Sequence, residues 1–279
     1  MTALAANPAS SGAAGSPAVA TEGLTRRFND LVAVDRLDLT IERGAFYGLL
    51  GSNGAGKTTV IRMLTTLLPP SSGTARVSGF DIIQRPREVR RRIGYVPQML
   101  SADAGLTGRE NLMLSARLYS ILRAERKGRI DEALGFMGLA EVANTPVRTY
   151  SGGMIRRLEI AQSMLHRPAV LFLDEPTVGL DPRARHAVWD RLRELRSEFG
   201  TSMLLTTHDM EEADALCDRV TIMHSGRVAV SGTPQELKAA VGEDATMDDV
   251  FVSHTGGAVD GGGTYREVAR TRGTARRLE

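Results

Sequence analysis

Residues 45–59 read Ala45-Phe46-Tyr47-Gly48-Leu49-Leu50-Gly51-Ser52-Asn53-Gly54-Ala55-Gly56-Lys57-Thr58-Thr59, and this stretch decides the fold. Its first six residues are short and largely apolar, the pattern of a strand that runs straight into a glycine loop. From Thr58 to Leu68 the spacing is helix-like until Pro69-Pro70 stops it. Strand, loop and helix form the context in which Gly51 to Thr58 matches GxxxxGK[ST]. In such a loop backbone N–H groups wrap phosphates, the lysine reaches the terminal ones and the threonine binds magnesium. Only glycine lets a backbone come that close. At average residue usage the four fixed positions would arise in a chain this long on the order of one time in a hundred.

The sequence on either side supplies a sheet for that loop. Upstream, Val19 to Glu42 alternates, with Leu37, Leu39 and Ile41 on one face, as in an antiparallel sheet with one wet side. Downstream, Arg85 to Arg92 predicts a charged helix with a solvated face and Ile93 to Val96 a strand. Thr107-Gly108-Arg109-Glu110 is a capping box that starts a helix burying Leu112, Ala116, Tyr119 and Leu122, and Ile130 to Leu139 repeats the pattern. Residues from about Met99 to Thr149 are therefore expected to form a helical insertion. A further helix follows Tyr150, then the apolar strand Ala169 to Leu173, then Asp181-Pro182 as N-cap and first helical residue. Trp189, Leu192, Leu195 and Phe199 mark one apolar helix face. Met203 to Thr206 and Val220 to Met223 add strands, and His224-Ser225-Gly226-Arg227 turns into Val228 to Ser231. Helices alternating with apolar strands predict a mainly parallel sheet covered on both faces.

At 279 residues, 42% hydrophobic and 24% charged, the composition is that of an ordinary globular protein. Lys+Arg 35 against Asp+Glu 33 leaves a net charge of +2, too small an excess for a protein held by nucleic-acid phosphates, so no nucleic-acid partner is expected. The only cysteine, Cys217, can form no internal disulfide, which suits a reducing compartment. No run of about 18 apolar residues occurs, so any membrane role must come through a partner. Residues 1–20 are rich in Ala, Ser, Gly and Pro and read as a disordered tail unlike a signal peptide. Residues 21–240 form the main domain, and 241–279, glycine-rich then basic, read as a short and largely flexible extension.

Other residues carry chemistry. Ala169 to Leu173 ends in Asp174-Glu175, two acids at the carboxyl edge of a strand, where open α/β sheets place ligands. Asp174 would hold magnesium, and Glu175 would orient or deprotonate water. Ser151-Gly152-Gly153 stands ahead of a helix and taken alone is a helix-start loop. Taken alone, Phe28 is a core or surface aromatic, Gln98 a solvated loop amide and His208 a core histidine.

Together, in this order, these segments resemble the ATP-binding cassette of ABC transporters, from about Ala20 to Leu237. The resemblance implies a P-loop NTPase core of α/β class, with an N-terminal antiparallel β-subdomain and an inserted α-helical subdomain. It implies ATP bound by Gly51, Ser52, Asn53, Gly54, Ala55, Gly56, Lys57, Thr58 and Thr59, with Phe28 stacked on adenine. Thr58, Gln98 and Asp174 would surround Mg2+, and Lys57, Glu175 and His208 would serve hydrolysis. Ser151, Gly152, Gly153 and Asp181 would contact ATP across a head-to-tail homodimer, and Met99 onward would face an integral-membrane permease. The subunit would then be cytoplasmic, held peripherally on the inner face of the membrane. The family's usual LSGGQ is here Tyr150-Ser151-Gly152-Gly153-Met154. That variant, with Thr246-Met247-Asp248-Asp249-Val250-Phe251, is similar to the drug-exporter group typified by daunorubicin-resistance ATPases. A soluble ABC ATPase acting on ribosomes or DNA is the alternative, although such proteins typically have two fused cassettes or a long coiled coil, and neither is present.

Overall fold

In the computed structural model, which describes residues 16–256, strands β1 (Val19–Phe28) and β2 (Leu31–Ile41) open the chain, and β3 (Phe46–Leu50) leads into the glycine loop and helix α1 (Lys57–Leu64). Strands β4 (Ser72–Val77) and β5 (Phe80–Asp81), helix α2 (Pro86–Arg90) and strand β6 (Ile93–Val96) follow. Helices α3 (Gly108–Leu118), α4 (Arg123–Phe136) and α5 (Gly152–Met164) intervene before β7 (Val170–Asp174). The chain continues through α6 (Pro182–Phe199), β8 (Ser202–Thr207), α7 (Met210–Leu216), the hairpin β9 (Arg219–His224) and β10 (Arg227–Gly232), α8 (Pro234–Val241) and α9 (Met247–Thr255).

The strands make two sheets. One is four-stranded and antiparallel in the order β2-β1-β4-β5. The other is six-stranded in the order β10-β9-β3-β8-β7-β6, parallel except for the β9–β10 hairpin at its edge. Every residue of β3, β7 and β8 is buried, as strands covered on both faces must be. Because side chains alternate across a strand, one set feeds each of two cores. Phe46, Leu50, Leu171, Leu173, Met203 and Leu205 pack with the helices that follow β6, whereas Tyr47, Leu49, Val170, Phe172 and Leu204 pack with α1 and the antiparallel sheet. The glycine loop leaves the carboxyl end of the central strand β3, between these cores.

Several expectations need correction. Val19 and Ala20, which fell both in the tail read from composition and in the alternating stretch, belong to the strand: they pair with Ile41 and Thr40 on one side and Val77 and Arg76 on the other. Helix α1 ends at Leu64, not Leu68: Thr66 takes a positive φ of 64° that an α-helix cannot continue through. Tyr119 and Leu122 are 40% and 67% exposed, because α3 stops at Leu118 and the chain turns away from the core. The extension beyond 241 is not largely flexible over Met247–Thr255. Thr246 and Asp249 form a capping box there, and Met247, Val250 and Phe251 are buried in the helical core. Burying each such side chain is worth about 1.5–3 kcal/mol, enough to fix a short helix that composition alone did not reveal. The remaining tail and extension, residues 1–15 and 257–279, lie outside the described residues.

Candidate functional site

The glycine loop takes its shape from residues that only glycine can supply. Gly56 N-caps α1 with φ 104°, and a Cβ there would sit 2.4 Å from the Ala33 carbonyl oxygen. The β2 backbone therefore packs directly against the turn, and the loop wraps the N-terminus of α1, an arrangement suited to anions. The loop borders a cleft of about 580 Å³ lined by Phe28, Val32, Ala33, Asn53 to Thr59, Gln98, Glu175 and Gly226. That size is typical of small-molecule sites. Phe28 is 41% exposed at the rim, with the Arg26 guanidinium 4.5 Å from its ring centre.

Three predicted residues converge on Glu175. Lys57, buried at the first position of α1, places Nζ 3.2 Å from Glu175 Oε1 and also donates to the carbonyls of Gly51 at 2.7 Å and Ser52 at 3.2 Å. Gln98 Nε2 donates to Glu175 Oε2 at 3.2 Å, and His208 Nδ1 lies 3.3 Å from the same oxygen. One carboxylate thus meets a lysine, an amide and an imidazole. Glu175 itself has φ 47°, an uncommon conformation for a residue with a side chain, and its N–H is shared between the Thr206 carbonyl at 3.0 Å and Thr206 Oγ1 at 3.1 Å. Its neighbour Asp174 accepts from Thr58 Oγ1 at 3.1 Å and from Thr206 Oγ1 at 2.6 Å. Thr206 therefore fixes both acids. Sequence reasoning missed it; the signal was a pair of polar residues, Thr206-Thr207, closing an otherwise apolar strand just before His208.

The loops around Glu175 are braced from behind. Asp209, next to His208, caps α7 and takes an ion pair from Arg185 on α6 at 2.5 Å. Glu212 Oε1 accepts from Thr177 Oγ1 at 2.7 Å and Trp189 Nε1 at 3.0 Å, which ties the segment after Glu175 to α7 and α6. Burial raises the Glu212 carboxyl above its ordinary pKa, against the lowering effect of those hydrogen bonds.

Ser151, Gly152 and Asp181 are not brought to this cleft. Ser151 caps α5 by accepting from Met154 N–H at 3.3 Å, and Asp181 caps α6 by accepting from Ala184 N–H at 2.9 Å. The two helix starts abut: a Cβ on Gly153 would lie 2.8 Å from Ala184 Cβ. Both helix N-termini stand at an exposed surface.

Residues 34–178 match the ABC transporter family. The chain belongs to that family. Over 227 residues it is 49% identical to the daunorubicin/doxorubicin resistance ATP-binding protein DrrA of Streptomyces peucetius, spanning 81% of this chain and 68% of that protein. It is 43% identical over 230 residues to the Nod factor export ATP-binding protein I of Ralstonia nicotianae, spanning 82% and 71%. Among solved structures, an ATP-binding subunit of an ABC transporter superposes with a TM-score of 0.75 at 30% identity, covering 84% of this chain and 98% of that one. The cbiO1 subunit from Clostridium perfringens, part of the ABC transporter complex cbiONQ, gives a TM-score of 0.75 at 30% identity, covering 80% and 91%. The α/β P-loop fold expected from the sequence is thereby established. This ABC chain is an ATP-binding, ATP-hydrolysing subunit, and its family membership implies a membrane permease as partner. Among the described residues no helix is long and apolar enough to cross a membrane.

Proposed function

We propose that this ABC subunit powers export of a hydrophobic drug or related natural product through a separate permease. The observation that carries the catalytic part is the convergence of Lys57, Gln98 and His208 on Glu175 at the mouth of the glycine loop. Gly51, Ser52, Asn53, Gly54, Ala55, Gly56, Lys57, Thr58 and Thr59 bind the phosphates through loop amides and the Lys57 ammonium, and Phe28 offers adenine an exposed aromatic face. Glu175 accepts the proton of the attacking water. Its contacts from Lys57, Gln98 and His208 restrict it to one orientation, and His208 is half exposed, positioned to follow charge on the terminal phosphate. Phosphoryl transfer asks a protein mainly for this kind of positioning and charge neutralisation.

The donor set fits Mg2+. Thr58 and Asp174 present a hydroxyl and one carboxylate 3.1 Å apart, the hard oxygen ligands that this ion combines with substrate phosphates. Thr58, Asp174 and the Gln98 side-chain oxygen Oε1 would hold it, and when bound it would neutralise phosphate charge.

Ser151, Gly152, Gly153 and Asp181 act across a head-to-tail homodimer, where the α5 N-terminus of one copy meets the nucleotide of the other. None of the four lines the chain's own cleft, and the exposure of Ser151, Gly152 and Asp181 supports that reading. The permease-facing surface is the exposed apolar group Met99, Leu100, Leu114, Leu118 and Leu122. The subunit sits on the cytoplasmic face. The names of the drug-resistance and Nod factor relatives support export. Drug accumulation in cells with and without the gene tests it: the gene should lower accumulation of at least one compound in a broad panel, and no change across the panel refutes export.

A further inference from the structure

Arg156 and Glu159 lie one turn apart on α5, each buried to 2% exposure, and meet at 3.0 Å. Both reach out of their helix to the main chain of residues 97–102. Arg156 Nη1 donates to the Pro97 carbonyl at 2.7 Å and Nη2 to the Gln98 carbonyl at 2.9 Å. Glu159 Oε1 accepts from the Ser101 N–H, from Ser101 Oγ at 3.1 Å and from the Ala102 N–H at 3.3 Å. A buried ion pair is a poor route to stability, since apolar side chains of similar volume often do as well. Here the guanidinium fork and the carboxylate grip one loop at both ends, which apolar packing could not do. That loop carries Gln98, whose side chain touches Glu175, and α5 begins at Ser151.

We propose that Arg156 and Glu159 are positioning residues that make the Gln98 loop move with α5, so that engagement of Ser151 at one nucleotide resets Gln98 over Glu175 at the other. The inference rests on the head-to-tail reading above. Coupling travels through a rigid helix and five polar contacts, so cutting the contacts at either end uncouples two sites that each remain intact.

Hydrogen–deuterium exchange on the full chain tests it, in a Glu175→Gln background that holds MgATP unhydrolysed. In that parent, MgATP should slow exchange in both 151–160 and 97–102. With Arg156→Lys, which keeps the charge and loses the fork, 151–160 should be protected as before, while protection of 97–102 falls at least tenfold. Glu159→Gln should act in the same direction and serves if the lysine variant folds poorly. With Glu175 present, Arg156→Lys should lower kcat about tenfold at unchanged KM. Equal protection of 97–102 in parent and variants overturns the coupling and leaves the dimer reading intact. No protection of 151–160 in the parent overturns that reading, and the coupling with it. A joint loss of kcat, KM and thermal stability would mark the pair as merely structural.

Discussion

Lys57 Nζ lies 3.2 Å from Glu175 Oε1, with both side chains buried in the wall of the cleft. The cation that would hold phosphate and the carboxylate that would activate water are therefore electrostatically one unit. Glu175→Gln keeps the shape and an oxygen for Lys57 but removes the base. Nucleotide affinity should stay within a few-fold, while hydrolysis falls about 10²–10⁴-fold, the usual worth of a positioned general base. Phosphate release under single-turnover conditions, beside binding of MgATP, measures both; near-normal turnover would rule out Glu175 as the base.

The glycine loop should be unequally tolerant of a methyl group. At Gly56, alanine would combine φ 104° with a contact of 2.4 Å to the Ala33 carbonyl, so β2 or the loop must move, and nucleotide-dependent thermal stabilisation should disappear. At Gly54, φ is 82° but no atom lies within 4 Å, so alanine should cost only about 1–2 kcal/mol of backbone strain. Thermal unfolding of the two variants, with and without nucleotide, checks the difference.

Thr206→Val removes the hydroxyl shared by Asp174 and the Glu175 N–H with almost no change of volume. Stability should drop by about 1–3 kcal/mol, the cost of leaving buried groups poorly partnered, and hydrolysis should fall with it. Thr206→Ser should restore most of both, and equal behaviour of the valine and serine variants would remove Thr206 from the site.

His166 gives the fold a dependence on acid. Its Nε2 bonds the Ile93 carbonyl at 2.9 Å and its ring stacks on Tyr119 at 3.8 Å. Burial, with a smaller push from Arg129, lowers its pKa to about 4 from an ordinary 6.5. Between those values the unfolded chain takes up a proton that the folded chain refuses, so stability present above pH 6.5 is lost as the pH falls towards 4. The wild-type advantage over His166→Gln in thermal unfolding should shrink across that interval. A constant difference from pH 7 to pH 4 would refute it.

Much of this was legible in the residues themselves. Gly51 to Thr58 announces a loop because its steric demands are local, and β3, β7 and β8 announce themselves because strands buried on both faces must be apolar throughout. Asp174 and Glu175 were legible as the end of such a strand. Thr206 was not, since its role depends on β8 lying beside β7, a pairing 32 residues away in sequence. The inward turn of Arg156 and Glu159 was not legible either, because nothing in a helix's own sequence tells which of its polar residues face inward. Helix α9 was missed for a similar reason: its few apolar residues are held by α7, α8 and the edge hairpin rather than by their own periodicity.

Ser151 leaves one last consequence. The oxygen that caps α5 is the one proposed to face a nucleotide held by a second copy, so a single atom answers to two demands, the folding of its own chain and the company of another. Replacing it by alanine confuses the two, for a frayed helix and a lost ligand would look alike in an assay. Aspartate can separate them. It caps a helix as well as serine does but would repel a phosphate, so a Ser151→Asp chain should fold, hold its own nucleotide, and remain alone.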